Sequence, residues 1–332
     1  GDSAPPSGDS TVDAGSSSGD LPRTPDLGPT SGIVINHNHV ALFEQIPAQY
    51  LAAARNIKMV FSDRSVGQNI HESLDCLTAA SYGQTPVSCR RDWVAGGFTQ
   101  IKNYTQSDYN ANQVPAHMRF TPDPVRYDRS NWKFEARTGS WSELTGNFIT
   151  QLAPQYINQG YQVLSYQFSY LNVDPQSDIA SPSQGFFVAN ASKYDIKDLE
   201  AFWAQHPTKT FVLWTASLAR GIGSAASRDF NQQMRQYATQ HNMILFDMAD
   251  ITSHTPSGAP CFDNRDGVQY CSPTNSSSCE NHPDDGVAYP AICRDYTTEL
   301  DGGHLGSVGG ARVRIAKAMW VLMARIAGWT PN

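Results

Sequence analysis

The chain has 332 residues, enough for one large α/β domain or two small ones, and its 40% hydrophobic and 17% charged residues indicate a globular protein with a substantial core. The formal net charge is −7, and no basic run of the kind that binds nucleic acid occurs, so nucleic acid is a poor candidate partner. No apolar segment is long enough to cross a bilayer.

Residues 1–31 are mostly Gly, Ser, Asp, Pro and Thr, with little to bury. This composition predicts a disordered linker, followed by a folded domain over residues 32–332. The chain begins with Gly1 rather than Met, which fits the removal of a leader or tag. A flexible segment of this kind is typical of a secreted or surface-tethered bacterial protein.

The first folded elements place a serine at the end of a strand. A short strand is predicted over residues 32–36 and a helix over residues 46–55, and the apolar run 57–61 has the length of a buried strand. Beyond it, apolar residues recur at helical spacing: Val66, Ile70, Leu74 and Leu77. Ser65 therefore lies where a strand gives way to a helix, at the sheet edge where open α/β sheets bind ligands. Its hydroxyl could instead simply cap the helix.

The middle of the chain divides into an irregular part and a regular part. Residues 82–140 are irregular and rich in aromatic side chains, which we interpret as an insert that builds a substrate cleft; those aromatics could instead pack the segment onto the domain. From Ser140 onward, helices are predicted over 140–159, 193–205 and 224–241, and strands over 161–168, 210–214 and 243–246. This alternation predicts a parallel sheet covered by helices on both faces. A last helix with an apolar stripe is predicted over residues 305–329.

Six cysteines indicate disulfide bonds and an oxidising compartment, and therefore an extracellular or cell-surface protein. They are Cys76, Cys89, Cys261, Cys271, Cys279 and Cys293. Closeness in sequence favours a Cys76–Cys89 bridge and two bridges among the other four. No C-x-x-C pair supports a zinc site.

Two stretches raise the question of a metal. Residues 251–300 interrupt the alternation of strands and helices, and their Cys- and Asp-rich loop 261–267 carries enough oxygen atoms to hold a structural calcium ion. The ligand spacing does not match an EF-hand, so a loop pinned by disulfide bonds is the default interpretation. His37 and His39 form an H-x-H pair, for which polar positions on an extended edge are the simpler interpretation. We therefore predict no cofactor and no metal among the catalytic residues.

A D-x-x-H pair precedes the last helix on a glycine-rich loop. If a serine faces it, His304 can act as general base while Asp301 fixes its tautomer. With Ser65 at the other end of the chain, this predicts a catalytic triad of Ser65, His304 and Asp301. Glu299 and Asp295 are the other carboxylates near enough in sequence to hold the histidine.

Together, the two ends of the chain resemble the SGNH/GDSL hydrolase family. In that family the nucleophilic serine follows the first strand, and an Asp and a His three residues apart precede the last helix. Residues 61–65 occupy the place of its Gly-Asp-Ser block and residues 301–304 that of its D-x-x-H block, and the resemblance covers most of residues 33–329. The G-x-S-x-G elbow of the α/β-hydrolases is absent.

The first block departs from the family pattern. Its glycine is missing and Arg64 separates Asp63 from Ser65, so the chain looks like a divergent branch whose block reads Arg-Ser-Val-Gly. Ser62 is therefore a second candidate nucleophile.

The resemblance implies a three-layer α/β/α sandwich with a central parallel sheet, flavodoxin-like and of the SGNH-hydrolase type. It also implies an oxyanion hole made by the backbone N–H of the serine, a glycine N–H and an asparagine side chain. Gly97 or Gly96 and Asn172 are the residues that match.

The function that follows is that of a secreted serine esterase. We expect a carbohydrate esterase that removes acetyl or similar groups from an acylated polysaccharide. Two alternatives stay open: a lipase or polyester-type esterase with the same triad, and a non-catalytic surface domain for carbohydrate binding or adhesion.

Overall fold

A computed structural model describes residues 32–94, 97–221, 223–263, 267, 269–273 and 275–331 of the chain. The predicted linker over residues 1–31 lies outside the described residues. The same holds for Gly96 and for residues 264–266 of the loop considered as a calcium site.

The described residues form ten strands and nine α-helices, connected by short 3-10 turns. The strands are β1 Val34–Ile35, β2 Met59–Asp63, β3 Arg91–Trp93, β4 Ile101–Asn103, β5 Trp132–Ala136, β6 Val163–Tyr166, β7 Thr210–Trp214, β8 Ile244–Phe246, β9 Gln269–Cys271 and β10 Cys279–Asn281. The helices are α1 Ala48–Asn56, α2 Ser65–Ser73, α3 Gln106–Asn110, α4 Trp141–Asn147, α5 Ala153–Asn158, α6 Ile196–Gln205, α7 Ala225–Gln240, α8 Met248–Thr252 and α9 Gly309–Ile326. A π-helical turn, Phe148–Leu152, joins α4 to α5.

Six strands make one parallel sheet in the order β1-β8-β7-β6-β2-β5. Without the edge strand β1, the remaining five follow the doubly wound order 2-1-3-4-5 when they are numbered along the chain. The winding reverses direction between β2 and β6. Ligands of open α/β sheets bind at such a switch point, beyond the carboxyl ends of the strands. The predicted parallel sheet is confirmed.

The sheet is buried on both faces, which makes the architecture three-layered. All five residues of β2 are buried. Met59 and Phe61 belong to one apolar cluster with α1, α2 and α9, whereas Val60 belongs to a second cluster with the helices from α4 to α7. Successive residues of a strand point to opposite faces, so continuous apolar runs such as 57–61 are those expected of a strand covered on both sides.

The last helix lies almost entirely inside the first of these clusters. Of its 18 residues, 15 are buried. Trp320 packs against Trp132 of β5, with ring centroids 4.4 Å apart, and against Tyr127 at 5.3 Å. α9 thus packs α1 and α2 against one face of the sheet and covers β5 at its edge.

The interpretation of residues 82–140 as an insert is wrong for their last part, because β5 is a strand of the central sheet. β5 lies at the sheet edge and alternates apolar with charged residues, as in Lys133 and Glu135, so it lacks the continuous apolar run of the inner strands. Most aromatics of the segment pack the core rather than line a cleft. Those that are buried include Tyr82, Trp93, Tyr104, Phe120, Tyr127 and Trp132.

All six cysteines are paired, which confirms the disulfide prediction. The bridges are Cys76–Cys89, Cys261–Cys293 and Cys271–Cys279. The third bridge closes the small antiparallel hairpin of β9 and β10. Among the described residues, none of the helices has the length and apolar character needed to span a membrane.

Candidate active site

Ser65 is the first residue of α2 and follows the carboxyl end of β2 after a single residue, Arg64. Val66 and Ile70 on the same helix are fully buried, while the Ser65 side chain is exposed. The N-cap position is occupied by Arg64, so Ser65 does not serve as the helix cap. Its hydroxyl is therefore available at the switch point of the sheet.

His304 reaches Ser65 from the other end of the chain. Its Nε2 lies 2.7 Å from the Ser65 Oγ, within hydrogen-bonding distance, although 239 positions separate the two residues. The ring of Tyr170, on the loop after β6, meets the His304 imidazole edge to face at a centroid distance of 6.0 Å. Serine and base thus stand in the geometry that nucleophilic attack requires.

The carboxylate that holds His304 is Glu299, and the prediction that Asp301 does so is wrong. The Glu299 Oε1 lies 2.6 Å from Nδ1 of His304, and Oε2 accepts the backbone N–H of His304 at 3.0 Å. The loop from 299 to 304 bends back on itself, so the residue five positions before the histidine faces the ring. Glu299 was one of the two alternatives that the sequence left open.

Asp301 turns away from the histidine. Its Oδ1 lies 3.0 Å from Nε2 of His282, and its backbone carbonyl accepts the N–H of Gly221 at 3.4 Å. A Cβ atom at position 221 would lie 2.1 Å from the Asp301 Oδ1, so this close approach requires glycine. Asp295, the other alternative, is partly buried, and burial raises the pKa of its carboxyl. Neither aspartate contacts His304 in the described part of the chain.

Polar side chains of α2, of α9 and of the loop itself hold the histidine loop in place. Asn69 Oδ1 accepts the backbone N–H of Leu305 at 2.9 Å. The Thr297 hydroxyl donates to the carbonyl of His304 at 2.9 Å. The buried Arg312 donates to the Leu305 carbonyl and to Glu72, each at 2.9 Å.

A pattern in the sequence indicates the positions of Asn69 and Glu72. Ser65, Asn69 and Glu72 recur at spacings of four and three, which places them on one face of α2. The apolar residues Val66 and Ile70 occupy the neighbouring face. This polar face of α2 therefore indicates which side of the helix meets His304.

Asp63 is the last residue of β2, two positions before Ser65. Complete burial raises the pKa of its carboxyl to about 7, against the opposing effect of the nearby backbone N–H groups of Arg64 and Gly67. A Cβ at position 67 would lie 2.5 Å from the Cβ of Asp63 and 2.6 Å from the Phe134 ring. The glycine of the Arg-Ser-Val-Gly block is thus required by packing.

Ser62, the second candidate nucleophile, is only 4% exposed within β2. A nucleophile must reach its substrate, so this position does not fit the role.

The two residues that the resemblance assigns to the oxyanion hole, Gly97 and Asn172, make hydrogen bonds to other groups. The N–H of Gly97 is donated to the Val94 carbonyl at 3.3 Å in the β3–β4 loop, so it is not free. The Asn172 side chain is buried after β6, where Oδ1 accepts the N–H of Ser169 at 3.1 Å and Nδ2 donates to the Gly139 carbonyl at 3.0 Å. Neither makes a hydrogen bond to Ser65 or His304 among the described residues.

Where the loop considered as a calcium site is described, the Asp263 carboxylate accepts backbone N–H groups from two other segments. Asp263 accepts the N–H of Gly223 at 3.2 Å and that of Tyr289 at 3.4 Å. Two other clusters combine histidine with carboxylate groups close enough to share an ion: His37, Asp250 and His254, and Glu280, His282 and Asp301.

Comparisons of the chain with protein-family models, with curated proteins and with solved structures found no match. The functional interpretation therefore comes from the geometry of the site.

Proposed function

We propose that the protein is a secreted serine esterase of the SGNH type, with Ser65 as nucleophile, His304 as general base and Glu299 as the acid that orients it. The observation that carries this proposal is the continuous chain of contacts from the Ser65 Oγ through both imidazole nitrogens of His304 to Glu299. Its place at the switch point of a parallel sheet is where ligands of this architecture bind.

Each residue has one task in this reaction. A serine hydroxyl is a weak nucleophile at neutral pH, so Nε2 of His304 must remove its proton as the oxygen attacks the ester carbonyl. Glu299 then accepts a hydrogen bond from Nδ1 and stabilises the imidazolium that forms. The same imidazolium returns its proton to the leaving alcohol, and water repeats the sequence on the acyl-enzyme.

The first turn of α2 is best placed to stabilise the oxyanion that forms when Ser65 attacks the ester carbonyl. The N–H groups at the start of a helix lack partners within the helix and favour negative charge. The N–H of Ser65 is therefore the donor we assign first. Asn172 stays a second candidate because its amide carries two hydrogens and one is already used.

The surroundings of the triad favour a polar substrate with a short acyl group. Ser65 is exposed, and the side chains of His304 and Glu299 are 36% and 32% exposed. Asn69, which accepts the N–H of Leu305 next to His304, is polar, whereas a long acyl chain needs apolar lining. We therefore propose an acetyl or similar ester on a carbohydrate as the substrate and keep a lipid or polyester as the alternative.

Extracellular or cell-surface location forms part of the proposal. Its support is the pairing of all six cysteines in disulfide bonds, which persist in oxidising compartments.

A fluorophosphonate label followed by peptide mapping tests nucleophile and class together. We expect the label on Ser65, and we expect Ser65→Ala to abolish hydrolysis of p-nitrophenyl acetate with nearly unchanged thermal stability. Ser107→Ala, which removes an exposed helix serine in α3, is the matched control. An active Ser65→Ala variant would overturn the assignment, and an unlabelled, inactive wild type would favour the non-catalytic binding domain.

The acyl group is tested separately. Turnover of acetyl esters well above that of p-nitrophenyl palmitate, together with release of acetate from an acetylated polysaccharide, is the expected result. A preference for the long chain would favour the lipase alternative.

A further inference from the structure

Glu280, His282 and Asp301 offer three ligand atoms that all lie within 4.8 Å of one another. The Asp301 Oδ1 and the His282 Nε2 are shielded from solvent and face each other as an ion pair at 3.0 Å, but the pair lacks hydrogen-bond geometry and neither atom has a hydrogen bond to any other described residue. Buried polar atoms are normally satisfied, so this pair calls for an explanation. Two atoms each about 2 Å from a shared ion stand roughly 3–3.5 Å apart, which is the separation found here.

The second cluster of this kind gives a useful contrast. In the group of His37, Asp250 and His254, the Asp250 Oδ2 already accepts the N–H of His37 at 2.8 Å and faces its Nδ1 at 2.5 Å. The Nδ1 of His254 lies 2.9 Å from the Asp250 carbonyl. Its polar atoms therefore satisfy one another without an ion.

We propose that Glu280, His282 and Asp301 bind one Zn²⁺ ion. One imidazole nitrogen and two carboxylate oxygens form a mixed ligand set that suits zinc, whereas calcium prefers six to eight oxygens. Three protein ligands leave the fourth tetrahedral position for water. The cysteines take no part, because all six are in disulfide bonds.

The ion would join two segments that are far apart in the sequence. Glu280 belongs to β10 in the hairpin closed by Cys271–Cys279, and His282 follows that strand directly. Asp301 lies in the loop between Glu299 and His304. Zinc would therefore tie the hairpin to the loop that carries Glu299 and His304.

This assignment also accounts for the turn of Asp301 away from His304. The Asp301 Oδ1 faces His282 across the proposed site rather than the imidazole Nδ1 of His304. Glu299 fills that place instead, at 2.6 Å.

Zinc binding is measured on the whole protein, without reference to esterase activity. After exhaustive dialysis against a chelator, titration with ZnCl₂ followed by calorimetry and by elemental analysis should give one equivalent per chain. His282→Asn and Asp301→Asn should each weaken binding by at least about tenfold. His206→Gln, which removes a histidine at the end of α6, should bind as the wild type does.

Three outcomes overturn the proposal: no zinc bound by the dialysed wild type, unchanged stoichiometry and affinity in both ligand variants, or tighter binding of CaCl₂ than of ZnCl₂. Circular dichroism of each variant guards against a loss of binding that arises from misfolding. Zinc binding is measured directly. A protein that binds no zinc would therefore not contradict the proposed esterase reaction, and a protein without esterase activity would not contradict the zinc site.

Discussion

Glu299 contacts His304 twice, through the ring and through the backbone, so its loss removes both the orientation of the imidazole and part of the loop's support. Glu299→Gln keeps the shape but presents an amide to Nδ1, which favours the wrong tautomer. In serine triads an equivalent change lowers kcat by about 10⁴-fold. We expect a loss of this order in the hydrolysis of p-nitrophenyl acetate.

Two further variants complete that test. Asp301→Asn should lower kcat far less than Glu299→Gln, and Asp295→Asn serves as the control for a carboxylate outside the triad. If Asp301→Asn proves the more damaging, the contact of Glu299 is not the one used in catalysis.

Asp63 gives the protein a stability that depends on pH. An unfolded Asp has a pKa of about 3.9, whereas burial raises the pKa of Asp63 to about 7 in the folded protein. Between these values the unfolded chain has lost the proton that the folded chain still holds, so the contribution of this group to stability falls as pH rises from about 4 to 7. Asp63→Asn should remove that dependence.

The measurement is the free energy of unfolding in urea at pH 5 and pH 8. The free energy of unfolding of Asp63→Asn minus that of the wild type should be more positive at pH 8 than at pH 5. Asp229→Asn changes an exposed carboxylate and is the control. If the free energies of unfolding of wild type and Asp63→Asn change in parallel with pH, ionisation of the buried carboxyl does not destabilise the folded protein.

At the scale of elements, α2 carries both the nucleophile and the contacts that position the base. Asn69→Ala leaves the N–H of Leu305 without its acceptor, at a cost of about 1–3 kcal/mol if that group stays buried. Because Leu305 follows His304 directly, we expect kcat to fall more than KM rises. Gln68→Ala, which changes the neighbouring exposed residue, is the control. If the two variants lower kcat equally, Asn69 does not position the histidine loop.

The elements that the sequence predicted well are those with a local pattern. The inner strands are continuous apolar runs, and helices such as α7 begin at a capping serine, Ser224, so both were recognised within two or three residues. β5 was missed because an edge strand buries one face only. The choice between Glu299 and Asp301 depends on how one short loop folds back against residues 218–221, which no periodicity encodes.

At the scale of the whole molecule, three disulfide bonds cross-link the irregular segments that surround the central sheet. Cys261–Cys293 closes a loop of 32 positions, and a bridge of this kind contributes about 2–4 kcal/mol to stability. Alkylation of the denatured, unreduced protein should modify none of the six cysteines, and reduction should expose all six to the reagent. Mass spectrometry gives the count, and free thiols before reduction would contradict an extracellular location.

The burial of α9 has a consequence for how the protein acquires activity. This helix completes the core around α1 and α2, yet it follows every other described element of the domain in the sequence. Contacts of such long sequence separation form late and slowly, and until they form the apolar faces of the first helices stay open to solvent and to other chains. His304 lies five positions before α9, and Arg312 of that helix donates to the Leu305 carbonyl, so we expect Ser65 to meet its proposed base only after α9 has docked.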